Sequence, residues 1–162
     1  MFGFGKKKKE LIDDSKLYAP VSGELVKLDT VSDPIFAQKV MGDGFAIEPD
    51  SGKILSPVAG EITVKQGHAV GFKRVDGLEV LLHLGIDTVS LNGAPFTLKV
   101  AVGDIVEAGD ELGKADWSQV EAAGLPKTTM VLVTNTADKL AHLTVNYGPT
   151  TAGTVVGEAQ AK

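Results

Sequence analysis

The segment Pro20-Val-Ser-Gly-Glu-Leu25 recurs 37 residues further on as Pro57-Val-Ala-Gly-Glu-Ile62. A looser copy, Val102-Gly-Asp-Ile-Val-Glu-Ala-Gly-Asp110, has the same order of turn, strand and turn. Such repetition indicates a duplicated β motif. Two close copies are too few for a solenoid, so we predict a closed sandwich in which two hairpin units pack face to face.

Short strands separated by turns continue along most of the chain. The 19 glycines and seven prolines interrupt the apolar segments often, with about 6–12 residues between turns, which is typical of an all-β sandwich or barrel. One short helix is predicted after Asp116, its N-cap, and before Gly124, which stops it. The predicted strands include residues 23–28, 45–47, 60–64, 69–74, 79–84, 105–106, 111–115, 130–133, 143–145 and 154–156.

Composition limits the chemistry that the chain can carry. Its 162 residues suit one domain, and the absence of cysteine excludes disulfides, iron–sulfur clusters and thiol nucleophiles. After the first nine residues the chain has 12 basic and 21 acidic residues, a net charge of −9. An acidic body disfavours nucleic-acid binding, which needs clustered basic side chains.

The first 16 residues differ from the rest, and we predict a flexible basic tail there, followed by one domain over residues 17–162. Four consecutive lysines and two phenylalanines lie in the first nine residues. One interpretation is a solvated chain end, and the alternative is weak membrane-surface contact through residues 1–9, with the lysines over anionic lipid. No apolar run is long enough for a membrane span or a signal peptide, which indicates a cytoplasmic protein.

The most informative stretch is Gly77-Leu-Glu-Val-Leu-Leu-His83-Leu-Gly-Ile-Asp87-Thr-Val. Alternation along a strand places His83 on the face opposite Val80, Leu82 and Leu84. His68 lies fifteen residues upstream and is expected on a neighbouring strand, so antiparallel pairing could bring the two imidazoles together. A single histidine on an apolar strand is usually a hydrogen-bonded core residue, but for two on paired strands a core role and a functional role stay equally open.

Two chemistries could use such a pair. The segment from His83 to Asp87 has the H-x-G-x-D spacing of a class of zinc peptidases, but those sites also need an H-x-H pair, which this chain lacks. The other chemistry is covalent phosphoryl carriage, because a neutral imidazole with one nitrogen hydrogen-bonded offers the other as a nucleophile. We therefore predict no metal and no cofactor. For His142 we expect a surface or structural role.

The stretch from His83 to Gly93, His-Leu-Gly-Ile-Asp-Thr-Val-Ser-Leu-Asn-Gly, matches the pattern H-F-G-I-D-T-V-x-L-x-G except for Leu84. On this motif the chain resembles the glucose-family IIA component of the bacterial phosphoenolpyruvate-dependent sugar phosphotransferase system. The resemblance implies a flattened antiparallel β-sandwich, or barrel-sandwich hybrid, with the duplicated hairpin motif and one short helix. Further matching segments are residues 19–24, 33–36, 40–44, 56–60 and 68–69.

The resemblance also implies a phosphohistidine carrier. The phosphocarrier protein HPr would phosphorylate Nε2 of His83, and the group would then pass to a cysteine of a IIB domain and on to the incoming sugar. His68 matches the second active-site histidine, which stabilises the phosphoryl group during transfer. Gln66 stands where the family has an orienting threonine, so we expect from it a hydrogen bond of different reach. Asp87 belongs to the motif without an assigned role.

The resemblance further implies an apolar partner-binding face around the histidines. The alternative for each of its members is a place in the ordinary core. A regulatory binding module without catalysis is the rival function for the same fold, and regulatory protein targets are expected partners beside HPr and IIB. The expected members of the face are Ile35, Phe36, Val40, Met41, Leu81 and Val89.

Overall fold

The computed structural model describes residues 10–162, and antiparallel strands dominate this part of the chain. The all-β prediction is confirmed. The first nine residues, and with them the expected membrane contact, lie outside the described residues. The strands are β1 (Lys16–Tyr18), β2 (Gly23–Lys27), β3 (Asp43–Pro49), β4 (Lys53–Leu55), β5 (Gly60–Gln66), β6 (Ala69–Lys73), β7 (Glu79–Leu84), β8 (Phe96–Leu98), β9 (Ile105–Val106), β10 (Glu111–Ala115), β11 (Thr129–Val133), β12 (Leu140–Val145), β13 (Gly148–Thr150) and β14 (Val155–Ala161).

Three sheets organise the described strands. The largest has eight strands in the order β13-β2-β3-β11-β7-β6-β5-β9, and the two smaller sheets have the orders β1-β14-β12 and β4-β10-β8. The strand β7 therefore lies inside the large sheet, paired with β11 on one side and β6 on the other. A strand held on both sides is a rigid support for a functional side chain.

The two repeated segments lead into related strands of this sheet. The first leads into β2 and the second into β5, each one strand in from an opposite edge. Both strands begin with a glycine that approaches a neighbouring carbonyl closely: a Cβ would lie 2.0 Å from the oxygen of Glu48 at Gly23, and 2.8 Å from that of Lys73 at Gly60. The two copies are thus strands of one sheet, and the chain beside each copy contacts the other copy: the Tyr18 amide donates to the Pro57 carbonyl at 2.9 Å, and the Leu55 amide donates to the Pro20 carbonyl at 2.8 Å.

Three short α-helices connect the strands within residues 10–162, where one was predicted. They are α1 (Pro34–Ala37), α2 (Trp117–Ala122) and α3 (Thr136–Lys139). The prediction of α2 is correct, because the Asp116 side chain accepts a hydrogen bond from the Ser118 amide. The α1 helix is too short for a periodic pattern, and it begins where the Asp33 carboxylate accepts from the Ile35 amide at 2.9 Å. No helix among residues 10–162 is long and apolar enough to cross a membrane.

Two clusters of buried side chains form the core of the described part of the chain. The larger one draws on all three sheets, including Leu17 of β1, Ile54 of β4 and Phe72 of β6. The smaller one lies beside the region of α1, and Leu81 of β7 packs partly against it. Its buried members are Leu28, Val31, Phe36, Ala46, Ile86, Met130 and Leu132.

The chain is tied to the fold slightly before the expected start of the domain. The Ser15 hydroxyl donates to the Glu158 carboxylate at 2.6 Å, and the Ala159 amide donates to the Ser15 carbonyl at 2.9 Å. Lys16 then pairs with Glu158 across β1 and β14. Strand pairing therefore begins inside the segment that composition assigns to the tail.

Candidate active site

His83 lies near the end of β7, opposite Ala69 of β6 and Met130 of β11. The predicted alternation of side chains along this strand is confirmed, because Val80, Leu82 and Leu84 are buried in the larger core cluster. The His83 side chain projects from the other face and is half-buried. Paired strands on both sides fix the backbone of His83, and with it the position from which the ring extends.

The backbone also engages one ring nitrogen of His83. Nδ1 lies 2.7 Å from the carbonyl oxygen of Gly85, two residues further on. Because a carbonyl oxygen only accepts, Nδ1 must carry the proton and donate it. In the neutral ring, Nε2 then holds the lone pair and is the nucleophilic atom. No residue type in the sequence reveals this contact, because the acceptor belongs to the main chain.

His68 lies in the tight turn between β5 and β6, one residue before the strand on which it was expected. Its carbonyl accepts a hydrogen bond from the Leu84 amide at 2.9 Å, which extends the pairing of β6 with β7 by one residue. The rings of His68 and His83 have centroids 4.9 Å apart and planes at 80°, an edge-on arrangement. The fold thus brings the two histidines together.

Gln66 ends β5 and does not take the orienting position that its place in the sequence implies. It pairs with Ala69 across the hairpin, and its side chain is exposed. Among the described residues no hydrogen bond joins Gln66 to His83. The Gly85 carbonyl provides the orienting contact of the ring instead.

Phe36 lies against His83 from the side of α1. The two ring centroids are 5.1 Å apart, with planes at 53°. Phe36 is only 8% exposed and belongs to the smaller core cluster, whereas its neighbour Ile35 is 51% exposed. The sequence suggests an exposed partner-binding residue, but the short helix turns this side chain inward. Phe36 is therefore a wall of the site.

The other expected members of the apolar face differ in exposure. Val40 and Val89 are exposed, and Met41 is 38% exposed. Leu81 is half-buried and packs against the smaller cluster. Together with Ile35, the three exposed residues lie on α1, on the loop after it and on the 3₁₀ turn Thr88–Leu91.

The pKa of His83 lies below its ordinary value. Burial is the largest cause, because it disfavours the charged ring, and the nearby His68 acts in the same direction. The bond to the Gly85 carbonyl and the charges of Asp33 and Asp87 oppose this shift. Burial lowers the pKa of His68 as well. Both rings are therefore neutral at pH 7, which keeps the lone pair on Nε2 of His83.

Asp87 acts on His83 through its charge. It is exposed, has a left-handed φ of 62°, and immediately precedes the 3₁₀ turn. Its carbonyl accepts a hydrogen bond from the Ser90 hydroxyl at 2.9 Å, so the main chain of Asp87 shapes the turn. Asp33, which caps α1, is the second carboxylate that acts on His83, and no motif in the sequence marks it for this role.

The structure also bears on metal binding by the two histidines. Within residues 10–162, no group of three or more His, Asp or Glu side chains converges as metal ligands would. His142 lies apart on β12 with an exposed side chain. The pair of His68 and His83 therefore stands as a site with two imidazoles and an adjacent aromatic wall.

Comparison with known proteins gives the family. Residues 15–139 match the family model described as phosphoenolpyruvate-dependent sugar phosphotransferase system, EIIA 1. This chain belongs to that EIIA family. The match includes both histidines, α1 and the 3₁₀ turn after β7. As an EIIA component, the chain takes part in phosphoryl transfer within the sugar phosphotransferase system.

Individual EIIA relatives support the same conclusion. The glucose-specific EIIA component of Halalkalibacterium halodurans is 44% identical over 146 residues, covering 87% of this chain and 84% of the relative. The glucose-specific EIIA component of Staphylococcus aureus (strain COL) is 40% identical over 147 residues, covering 90% and 86%. In Streptococcus pneumoniae, a glucose-specific EIICBA component is 50% identical over 122 residues, 74% of this chain but 17% of that much longer protein.

A solved EIIA structure has the same fold. Glucose permease IIA from Mycoplasma capricolum superposes with a TM-score of 0.82 at 36% sequence identity, covering 88% of this chain and 93% of that one. The flattened antiparallel architecture implied by the resemblance is thereby confirmed.

The lowered pKa values predict acid-sensitive stability. In the unfolded chain both histidines have the ordinary pKa of about 6.5, so below that pH the unfolded chain binds more protons than the native protein does. The free energy of unfolding therefore falls as pH falls. Denaturant unfolding at pH 7 and pH 5.5 should show this loss, and a double variant His68→Gln/His83→Gln should lose less. Ring titration by NMR that placed both pKa values at or above 6.5 would contradict the expectation.

Proposed function

We propose that this EIIA domain is a phosphohistidine carrier that accepts a phosphoryl group from phospho-HPr on Nε2 of His83 and passes it to a cysteine of a IIB domain. The observation that carries the proposal is the hydrogen bond from Nδ1 of His83 to the Gly85 carbonyl. It leaves Nε2 as the nucleophile of a ring that burial keeps neutral. The carrier domain is proposed to span residues 17–162, immediately preceded by Ser15 and Lys16, which contact Glu158 of β14.

The chemistry needs no cofactor at the site. The lone pair on Nε2 attacks phosphorus, the bond from phosphorus to the donor breaks, and a phosphorus–nitrogen bond forms. The Nδ1 proton stays on the ring, where the Gly85 carbonyl stabilises the positive charge that develops. In the second half-reaction a IIB thiolate attacks phosphorus, and His83 leaves as the neutral imidazole.

His68 is proposed to stabilise the transferring group. Its ring lies 4.9 Å from that of His83, centroid to centroid, so a donor on His68 can reach phosphoryl oxygens held at Nε2. Hydrogen-bond donors placed where charge redistributes lower the barrier to transfer. Since His68 is 8% exposed and its carbonyl is bonded to Leu84, it is already in position before a partner docks.

The partner surface is proposed to be the exposed apolar set Ile35, Val40, Met41 and Val89. Docking over these side chains would exclude water from the phosphoryl group while keeping the interface small enough to release. Asp33 and Asp87 add negative charge beside His83, which favours partners with basic groups. HPr and IIB would use the same surface in turn, because both must reach Nε2.

A reconstituted assay tests this function and the role of His68. Incubation with phosphoenolpyruvate, enzyme I and HPr should add one phosphoryl group, measured by intact mass. His68→Gln should still accept the group but pass it to IIB roughly 10²–10³-fold more slowly, the range for losing one transition-state donor.

His142→Gln is the matched control, because His142 is exposed on β12 and should leave both half-reactions unchanged. Equal loss of both half-reactions in His68→Gln would contradict the divided roles. Absence of any phosphoryl transfer in the unmodified protein would favour the rival function, a regulatory binding module.

A further inference from the structure

The four residues after β7 form a sharp bend that brings Thr88 against Gly85. Gly85 has a φ of +76°, and a Cβ placed on it would lie 2.5 Å from Cγ2 of Thr88. Thr88 is completely buried, although it begins a 3₁₀ turn on the surface. A hydroxyl buried this deeply must find a partner within the loop.

Two hydrogen bonds hold the peptide units on either side of Gly85. The Thr88 hydroxyl donates to the Leu84 carbonyl, which fixes the peptide between Leu84 and Gly85. The Ile86 amide donates to the Pro126 carbonyl at 3.1 Å, which fixes the peptide between Gly85 and Ile86. Each unit is planar, so holding one group in each determines the orientation of the whole unit.

The second of these units carries the carbonyl that accepts from His83. In a trans peptide the carbonyl points away from the amide of the next residue, so binding of the Ile86 amide by Pro126 directs the Gly85 oxygen the other way. Nδ1 of His83 lies 2.7 Å from that oxygen. Without these hydrogen bonds the φ and ψ angles of Gly85 would be free to change, because glycine has no Cβ to limit its backbone.

We infer that Thr88 is a positioning residue. Its hydroxyl fixes the backbone conformation at Gly85, so that the Gly85 carbonyl holds the His83 ring in the Nδ1–H tautomer. In that tautomer Nε2 is the nucleophilic atom. Thr88 acts through Gly85, and among the described residues its hydroxyl bonds to the Leu84 carbonyl and not to the His83 ring. The inference concerns the free protein, and only its effect on phosphoryl transfer rests on the proposed function.

The direct test compares Thr88→Val, which removes the hydroxyl at nearly constant shape, with Thr88→Ser, which keeps it. The control is Ser56→Ala, since Ser56 is another fully buried hydroxyl that donates to a backbone carbonyl, that of Val58 at 2.7 Å. Ring ¹⁵N shifts of His83, measured by NMR without any phosphoryl donor, report the tautomer. We expect Thr88→Val to show a mixture of tautomers, and the wild type, Thr88→Ser and Ser56→Ala to show Nδ1–H.

The same four proteins should differ in the rate at which they accept the phosphoryl group. Thr88→Val should accept the phosphoryl group roughly tenfold more slowly, the order expected for a small misplacement of a reacting group, and part of the label should move to Nδ1. A folded Thr88→Val with wild-type ring shifts would overturn the inference. If wild-type protein accepted no phosphoryl group, the proposed function would fail while the tautomer measurement still decided the role of Thr88.

A measurement on the wild type covers the case in which Thr88→Val does not fold. The Thr88 hydroxyl proton should be visible as a slowly exchanging NMR resonance, and a hydrogen-bond coupling should join Nδ1 of His83 to the Gly85 carbonyl. A rapidly exchanging hydroxyl, or absence of that coupling, would overturn the inference.

Discussion

Replacement of His83 by Gln should abolish phosphorylation of this protein by phospho-HPr. Glutamine keeps similar size and a polar end near the Gly85 carbonyl, but it has no nucleophilic ring nitrogen. The neighbouring His68 should not substitute for it, because within the described part of the chain no backbone carbonyl holds its ring as the Gly85 carbonyl holds that of His83. Intact mass after incubation with phosphoenolpyruvate, enzyme I and HPr should therefore show no added phosphoryl group.

Two controls make this result specific to chemistry at one atom. His142→Gln should be labelled like the wild type, and both variants should keep the wild-type melting temperature within a few degrees because neither side chain is in the core. The label on the wild type should be lost in acid and stable in base, as expected of a phosphoramidate. Labelling that survived in His83→Gln would place the acceptor elsewhere.

Replacement of Phe36 by Asp should unfold or severely destabilise the domain. Phe36 is 8% exposed and packs in the smaller core cluster beside His83, so the change removes an aromatic ring and buries a charge. Loss of a buried phenylalanine costs roughly 3–5 kcal/mol, and the unpaired carboxylate adds to this. Denaturant unfolding should show the loss directly.

The neighbouring residue provides the matched control. Ile35 lies on the same short helix but is half exposed, so Ile35→Asp should leave the free energy of unfolding nearly unchanged while it slows docking of HPr. A stable Phe36→Asp protein with slowed transfer alone would return Phe36 to the partner surface and contradict its assignment as a wall.

The sequence predicted the strands that carry long alternating patterns and the turn that follows β7. The alternation of Val80, Leu82 and Leu84 placed His83 on the correct face, and the Asp116 cap located α2. The four strands that were not predicted, β1, β4, β8 and β13, have three residues each and lie outside the repeated segments, whereas the two-residue β9 was predicted because it lies between the turns of the looser copy. The prediction also ended β14 too early, because Gly157 suggests a turn, whereas the glycine allows close approach to the Thr144 carbonyl.

Only those features of the candidate site that depend on residue type could be predicted from the sequence. The proximity of His68 to His83 followed from antiparallel pairing, but the identity of the acceptor for Nδ1 did not, since the Gly85 carbonyl carries no residue-type signal. Gln66 held the expected position in the sequence, yet its side chain is exposed and forms no hydrogen bond with the His83 ring among residues 10–162. The burial of Phe36 depends on a four-residue helix, which is below the length that periodicity can detect.

The central claim is that Nε2 of His83 carries the phosphoryl group, and NMR of the phosphorylated protein tests it most directly. The protein, labelled with ¹⁵N and phosphorylated through HPr, should show one phosphorus resonance coupled to Nε2 of His83, with Nδ1 still protonated and bonded to the Gly85 carbonyl. Coupling to Nδ1 of His83, to a ring nitrogen of His68 or to an oxygen of a hydroxyl side chain would contradict the account.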